Sequence, residues 1–139
     1  MPDAPDLFSE ATELAEQGLL DEALTLFQAL LKTDSNNATL WNNIGIIQFR
    51  QGEYREAVNA FGQATDTDPE FTNAWFNKSL ALVHLGKDTE ILRALDKVLK
   101  LNPRDKEAQS QRALIVRIMA QVSESGRTDS QSVQSQLRV

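Results

Sequence analysis

The sequence predicts an all-α solenoid built from helix–turn–helix repeats. The main observation is self-similarity, because residues of one type recur 34 positions apart. The recurring residues are Trp41 and Trp75; Asn43 and Asn77; Gly18, Gly52 and Gly86; Phe27 and Phe61; and Pro69 and Pro103. A fixed period of about 34 residues is typical of stacked helical hairpins. Each hairpin buries its apolar face against the hairpins beside it, so the hairpins must stack.

Composition narrows the functional classes. The chain has 139 residues, which suits one domain, and 14 Lys and Arg against 20 Asp and Glu, a net charge of −6. This acidity argues against a nucleic-acid partner. The absence of cysteine excludes disulfides and thiolate metal sites. The start, MPDAPD, lacks the pattern of a signal peptide, and no apolar run is long enough to span a membrane. We expect a cytoplasmic protein with no membrane partner.

The first repeat covers about residues 4–37. Asp3 or Asp6 is expected to cap its first helix, and Asp21 its second, because short acceptor side chains satisfy the free amides of an opening turn. Gly18 separates the two helices.

The second repeat covers about residues 38–71 and carries the clearest packing signal. Gly45 and Ala57 have almost no side-chain bulk, so the two antiparallel helices are expected to approach closely where they cross. Trp41 and Phe61 supply the large apolar volume around that point.

The third repeat, about residues 72–105, departs from this plan. Ser79 replaces the glycine, Ile91 stands where the other repeats have alanine, and Asp88 takes the place of Tyr54. These substitutions predict a slightly wider or re-tilted helix pair.

A capping helix is expected at about residues 105–122, which completes a domain of residues 4–122. Gln109 and Arg112 replace larger apolar residues of the repeats, as the solvated outer face of a terminal helix requires. Residues 123–139 are rich in Ser and Gln and are expected to form a flexible tail. The alternative is a short docking segment that contains Val133, Leu137 and Val139.

The spacings W-x2-I-G, G-x-Y and A-x3-F, followed by a closing Pro, resemble the tetratricopeptide repeat (TPR) family. This resemblance implies a right-handed TPR superhelix of three repeats and a C-terminal capping helix. It also implies a concave groove, lined by the first helix of each hairpin, in which peptides commonly bind. Carried over by register, the principal groove residues are Phe8, Thr39, Asn42, Asn43, Ile46, Phe49, Arg50, Asn73, Phe76, Asn77, Leu80, His84, Gln111 and Leu114. The same register includes Ser9, Thr12, Glu16, Val83 and Ile118.

Two features of this groove suggest binding. Ser9, Asn43, Asn77 and Gln111 form a polar row with one member in each repeat, and carboxamides can pair with a peptide backbone. Asparagines in this register hold an extended peptide in the O-GlcNAc transferase type of TPR superhelix. The alternative is hydrogen bonding within each repeat. The apolar members would form an interaction patch, unless residues such as Phe49 and Val83 pack between hairpins instead.

One type of TPR ligand is not favoured. Co-chaperone TPR domains hold a chaperone's terminal carboxylate with two lysines, two asparagines and one arginine. The corresponding places here are Phe8, Thr12, Asn43, Asn73 and Asn77. Without a cation, a carboxylate would lose its charge-assisted hydrogen bonds.

Signals for catalysis are weak. His84 is the only histidine and has no metal-ligand pattern around it, and no glycine-rich phosphate loop is present. We expect no catalytic residue, cofactor or metal. The leading hypothesis is a non-catalytic module that binds an apolar peptide or helix in the groove. The alternatives are a self-associating structural protein, covered by a second copy or by its own tail, and a regulatory subunit of an enzyme.

Overall fold

The computed structural model describes residues 6–125, which form seven α-helices and no strand. The helices are α1 Leu7–Glu16, α2 Leu20–Thr33, α3 Ala38–Arg50, α4 Tyr54–Thr67, α5 Thr72–Leu85, α6 Asp88–Leu101 and α7 Lys106–Ser125. The predicted all-α class, with three helical hairpins and one further helix, is confirmed. The chain divides into two compact units, Met1–Asp68 and Pro69–Val139, called here the first and second units.

The glycines at the hairpin turns have left-handed backbone conformations. Gly18, Gly52 and Gly86 have φ angles of 82°, 79° and 66°. Side chains other than that of glycine are strained in this region, which explains the glycine at this point in every hairpin.

The helix N-termini support one of the predicted caps and correct another. Asp6 caps α1, because its carboxylate accepts a hydrogen bond from the Phe8 amide at 3.1 Å. The predicted cap at Asp21 is wrong, since α2 already begins at Leu20 after the Gly18 turn. Asp21 accepts instead from the Gln51 side chain at 2.7 Å, which joins α2 to the end of α3.

The close approach predicted at Gly45 is present in the first unit. A Cβ atom at this residue would lie 2.5 Å from Cε1 of Phe61, well inside van der Waals contact. The Phe61 ring is fully buried and has little freedom to move aside. The fit between glycine and phenylalanine therefore sets the distance between α3 and α4.

The second unit fills the equivalent positions with other residues. Ser79 is completely buried, and its hydroxyl donates to the Phe76 carbonyl at 2.6 Å. Ile91 and Leu95, also buried, stand where α4 has Ala57 and Phe61. The wider crossing stays a prediction.

A hydrogen bond recurs before three of the helices. The indole nitrogen of Trp41 donates to the Ser35 carbonyl at 3.1 Å, and that of Trp75 to the Pro69 carbonyl at 2.9 Å. In α7 the Gln109 side chain donates to the carbonyl of Pro103 at 2.6 Å. Gln109 therefore supplies the hydrogen-bond donor that tryptophan supplies in the repeats, but without a large apolar ring. A terminal helix needs this exchange because its outer face is in contact with solvent.

Helix α7 packs in the second unit through Ala108, Ile115 and Ile118, which are buried, and Arg112 forms an ion pair with Asp96 of α6. It ends at Ser125, beyond the predicted end at 122. The rest of the predicted tail lies outside the described residues, as do Asp3 and the docking segment of Val133, Leu137 and Val139. Within residues 6–125, no helix is both long and apolar enough to cross a membrane.

Candidate functional site

One face of α3 combines polar and apolar residues at an accessible surface. Thr39, Asn43, Ile46 and Arg50 are spaced by three or four residues and so lie on one side of the helix. Ile46 is 36% exposed, so part of its aliphatic side chain is open to solvent. Thr39 and Arg50 are exposed, and Asn43 is half-buried.

Helix α5 repeats this arrangement in the second unit. Asn73, Asn77, Leu80 and His84 occupy the same register as the four residues on α3. Asn73 is exposed and the other three are half-buried, as is the neighbouring Phe76. Gln111 and Leu114, both half-buried, continue the register on α7. An apolar residue therefore follows a carboxamide by three positions on each of these helices.

Three residues assigned to the groove face are buried. Asn42 is 7% exposed, Val83 is 2% exposed and Ile118 is 1% exposed, so none offers an open surface to a partner. The reason is geometric, because successive residues of a helix diverge by about 100°. Asn42 and Asn43 therefore point to different sides of α3.

Phe8 belongs to the same register as Asn42 and also faces the interior. Its ring packs edge-to-face on the buried Phe27, with 5.7 Å between the ring centroids. Only part of Phe8 is therefore accessible, and the ring contributes to the core of the first unit.

The polar row is not uniform. The hydroxyl of Ser9 donates to the Asp6 carboxylate at 2.8 Å, a bond within its own repeat. This hydrogen bond is the main reason that the pKa of Asp6 is lowered. The Asn43 carboxamide forms no hydrogen bond with any part of residues 6–125. Asn43 therefore keeps its donor and acceptor available, whereas Ser9 serves a local cap.

Arg50 and Phe49 have structural contacts at the end of α3. The Arg50 guanidinium donates to the Ala15 carbonyl in the last turn of α1 at 2.9 Å, and the same carbonyl also accepts from the Gly18 amide at 3.0 Å. The Phe49 ring packs edge-to-face on Tyr54, with 5.3 Å between centroids. These contacts fix the C-terminal end of the α3 face.

A cavity of 590 Å³ opens between α5 and α6 in the second unit, away from the predicted face. Trp75 and Leu82 form part of its apolar lining, and four Lys and Arg side chains surround them. Our interpretation of the sequence missed it, because it followed only the first helix of each hairpin. The detectable signal was the run of cations at i, i+4 and i+7 along α6, from Arg93 through Lys97 to Lys100.

Family models described as "Tetratricopeptide repeat" match residues 14–70 and residues 72–105. The chain belongs to the TPR family. The matched segments contain all three hairpin turns and the two tryptophans whose indoles donate to the preceding loops.

Curated relatives are much longer than this chain. The chain is 33% identical over 105 residues to Superkiller protein 3 of Saccharomyces cerevisiae, which is 74% of this chain and 7% of that protein. It is 35% identical over 66 residues to the protein O-mannosyl-transferase TMTC3 of Mus musculus, 48% of this chain and 7% of that protein. The chain therefore corresponds to a small part of either relative.

Two solved structures share the fold. The second TPR domain of human RPAP3, in complex with an HSP70 peptide, has a TM-score of 0.73 at 24% identity, covering 78% of this chain and 91% of that one. The type III secretion chaperone SycD of Yersinia enterocolitica, in complex with a peptide of the translocator YopD, has a TM-score of 0.70 at 18% identity, covering 87% and 92%. These similarities confirm the TPR fold class.

The described part of the TPR chain also bears on metal binding. Within residues 6–125, no three His, Cys, Asp or Glu side chains lie close enough together to hold a metal ion.

Proposed function

We propose that this TPR chain is a non-catalytic, cytoplasmic protein-interaction module. It binds an apolar peptide or helix segment along the first helices of its hairpins, the face that forms the concave groove in the family. The observation that carries this proposal is the exposed Ile46 beside the available carboxamide of Asn43.

The chemistry of that face suits a peptide. Burial of an exposed aliphatic side chain contributes roughly 25 cal/mol for each Å² removed from water. The carboxamide of Asn43 can donate to a peptide carbonyl and accept from a peptide amide, so it would set the register of the bound segment. Ile46 would supply affinity, and Asn43 would orient the ligand.

The second unit offers the same pair of residue types at Asn77 and Leu80, with Phe76 beside them. A peptide with apolar side chains at regular intervals would match such repeated anchors. The peptide complexes of the RPAP3 domain and of SycD support this mode of use for the fold. The clamp positions here lack any cation, so we do not propose a chaperone's terminal carboxylate as the ligand.

A random-peptide display selection on the chain provides the test, followed by affinity measurements with the selected peptides. Ile46→Ser should weaken binding about tenfold, since it removes most of one aliphatic anchor. The matched control is Leu101→Ser on α6, because Leu101 is 37% exposed and Ile46 is 36% exposed.

Equal losses in Ile46→Ser and Leu101→Ser, or no loss in either, would contradict the proposed surface. Asn43→Ala should also weaken binding, and by a similar factor for peptides of different sequence if the carboxamide contacts the backbone. Light scattering over a range of concentrations addresses the self-association alternative, which requires the mass to rise with concentration.

A further inference from the structure

The cavity between α5 and α6 has an apolar floor and a cationic rim. Trp75, Leu82 and Ala94 line it together with six charged residues. Those residues are Lys78, Glu90, Arg93, Asp96, Lys97 and Lys100. Its volume of 590 Å³ lies within the range of about 300–1,000 Å³ that is typical of ligand sites.

The cations are not neutralised by the protein around them. The Lys78 and Lys97 ammonium groups both lie over the Trp75 ring, 5.5 and 5.9 Å from its centroid. Among residues 6–125, no carboxylate is within 4 Å of any of the four rim cations, and Asp96 is paired with Arg112. Two ammonium groups beside one ring repel each other, so an incoming anion would relieve that repulsion.

The repeat provides an internal comparison for this site. The first unit has a cavity of 380 Å³ at the equivalent place, lined by Trp41, Ile44, Asn59 and Gln63 among others. Counted 34 residues further on, these positions are Trp75, Lys78, Arg93 and Lys97. The tryptophan is kept, while each of the other three residues changes from neutral to cationic.

This change runs against the charge of the chain as a whole, which is −6. The sequence of the first unit holds 12 Asp and Glu with 3 Lys and Arg. That of the second unit holds 8 Asp and Glu with 11 Lys and Arg. The positive charge is thus concentrated in the unit that contains the cavity, where an acidic partner would be attracted.

We propose that the α5–α6 cavity binds an acidic segment of a partner protein that carries one apolar side chain between its carboxylates. The apolar side chain lies against Trp75, and the carboxylates pair with the rim cations. This site is separate from the proposed peptide surface on the first helices, and it requires a different ligand composition.

The spacing of the rim favours a peptide over a small anion. Arg93 and Lys100 are seven residues apart, so their backbone positions differ by about 10 Å along α6. One phosphate cannot pair with both ends of such a row. In an extended peptide, side chains two residues apart share a face and are about 7 Å apart, so glutamates two residues before and two residues after the apolar side chain can contact cations on either side of Trp75.

The test uses the Trp41→Phe chain, in which Trp75 is the single tryptophan and reports on its own cavity. The probe is the acetylated and amidated peptide Glu-Glu-Phe-Glu-Glu, and the control peptide is Gln-Gln-Phe-Gln-Gln. We expect a saturable change in Trp75 fluorescence with the acidic peptide, weakened by salt, and at least about tenfold weaker binding of the glutamine peptide.

The decisive variant carries Lys78→Ile, Arg93→Asn and Lys97→Gln, the residues of the equivalent cavity in the first unit. It should bind the acidic peptide about tenfold more weakly. Lys87→Gln, Arg104→Asn and Lys106→Gln remove three exposed cations elsewhere in the second unit and should leave affinity nearly unchanged. Circular dichroism checks the fold of both variants.

A gain-of-binding variant keeps the test informative if the first variant fails to fold. Asn59→Arg with Gln63→Lys, both at exposed positions of α4, should give the first unit affinity for the acidic peptide. Trp41 reports this binding in a Trp75→Phe chain.

Three results would overturn the proposal. The first is an equal loss of affinity for the acidic peptide in the two triple variants, which would indicate that only the net charge of the protein matters. The second is that inorganic phosphate gives the same fluorescence change at the same concentration, which would indicate a small-anion site. The third is a change in Trp75 fluorescence with protein concentration alone, which would indicate that a second copy occupies the cavity.

Discussion

The hairpins α3–α4 and α5–α6 follow one plan but fill the point where their helices cross in two ways. In α3–α4, Gly45 leaves room for the ring of Phe61. In α5–α6, the equivalent positions hold the larger Ser79 and the smaller Leu95, and both are completely buried. A smaller residue on one helix thus accompanies a larger residue on the other. Packing at the crossing therefore limits the combined size of the two residues, and it does not fix the size of either residue separately.

The largest effect is expected when one partner is exchanged without the other. Gly45→Ser places a side chain against the buried Phe61 ring and should destabilise the protein by about 1–3 kcal/mol. The gain in helix propensity from replacing glycine is smaller, at most about 1 kcal/mol. Urea unfolding monitored by circular dichroism measures the difference.

The double variant Gly45→Ser with Phe61→Leu recreates the residue pair of α5–α6. Its destabilisation should be smaller than the sum of the two single losses, by about 0.5–3 kcal/mol. Strict additivity would show that these residues do not constrain each other, and the comparison of the two crossings would then lose its physical basis.

This crossing also shows what could be predicted from sequence. A period of 34 residues located every hairpin, and a glycine opposite an alanine and a phenylalanine indicated close packing, because few residue types fit at such a point. The same register placed Gly18, Gly52 and Gly86 at the hairpin turns, and the structure shows that all three have left-handed backbone conformations. Local steric requirements are strict, so they leave clear signals.

The surfaces were harder to predict. Asn42 and Asn43 are neighbours of one type, yet only Asn43 is accessible enough to meet a ligand. A rotation of about 100° per residue decides this, and the sequence does not fix how α3 is turned against its neighbours. The cationic cavity combines Lys78 of α5 with residues of α6, so it emerges only when both helices are considered together.

A second difference between the hairpins concerns Gln48 and its counterpart Leu82. Oε1 of Gln48 is buried and accepts no hydrogen bond within residues 6–125, whereas Leu82 is an apolar residue that is 1% exposed. Gln48→Leu should therefore stabilise the protein by about 1 kcal/mol, since it removes an unsatisfied acceptor. Thermal and urea unfolding both measure this gain.

Gln51 is the control for that substitution, because its side chain donates to Asp21 at 2.7 Å. Gln51→Leu breaks this bond and should not stabilise the protein. If the two leucine variants behaved alike, the gain would reflect hydrophobicity in general and not the unsatisfied oxygen of Gln48.

The smallest effect is expected where α6 begins with Asp88 in the place of Tyr54. The Tyr54 ring packs on Phe49, but Oδ1 of Asp88 is buried without a hydrogen-bond partner among the described residues. Burial raises the pKa of Asp88 above its ordinary value of 3.8. Because the folded state holds this proton more tightly than the unfolded state, ionisation of Asp88 opposes folding.

Asp88→Asn isolates this effect, because asparagine has a similar shape and no charge to desolvate. Below pH 3.8 both states of the wild-type chain keep the proton, so the unfolding free energies of the two proteins should differ least there. As the pH rises through 3.8 to the raised pKa, wild-type stability falls relative to the variant, and above that pKa the difference is constant.

The exposed Asp66→Asn on α4 removes the same charge without a buried oxygen. If urea unfolding at pH 3, 5 and 7 gave equal changes for both variants, net charge would explain them, and the burial of Asp88 would not distinguish α6 from α4.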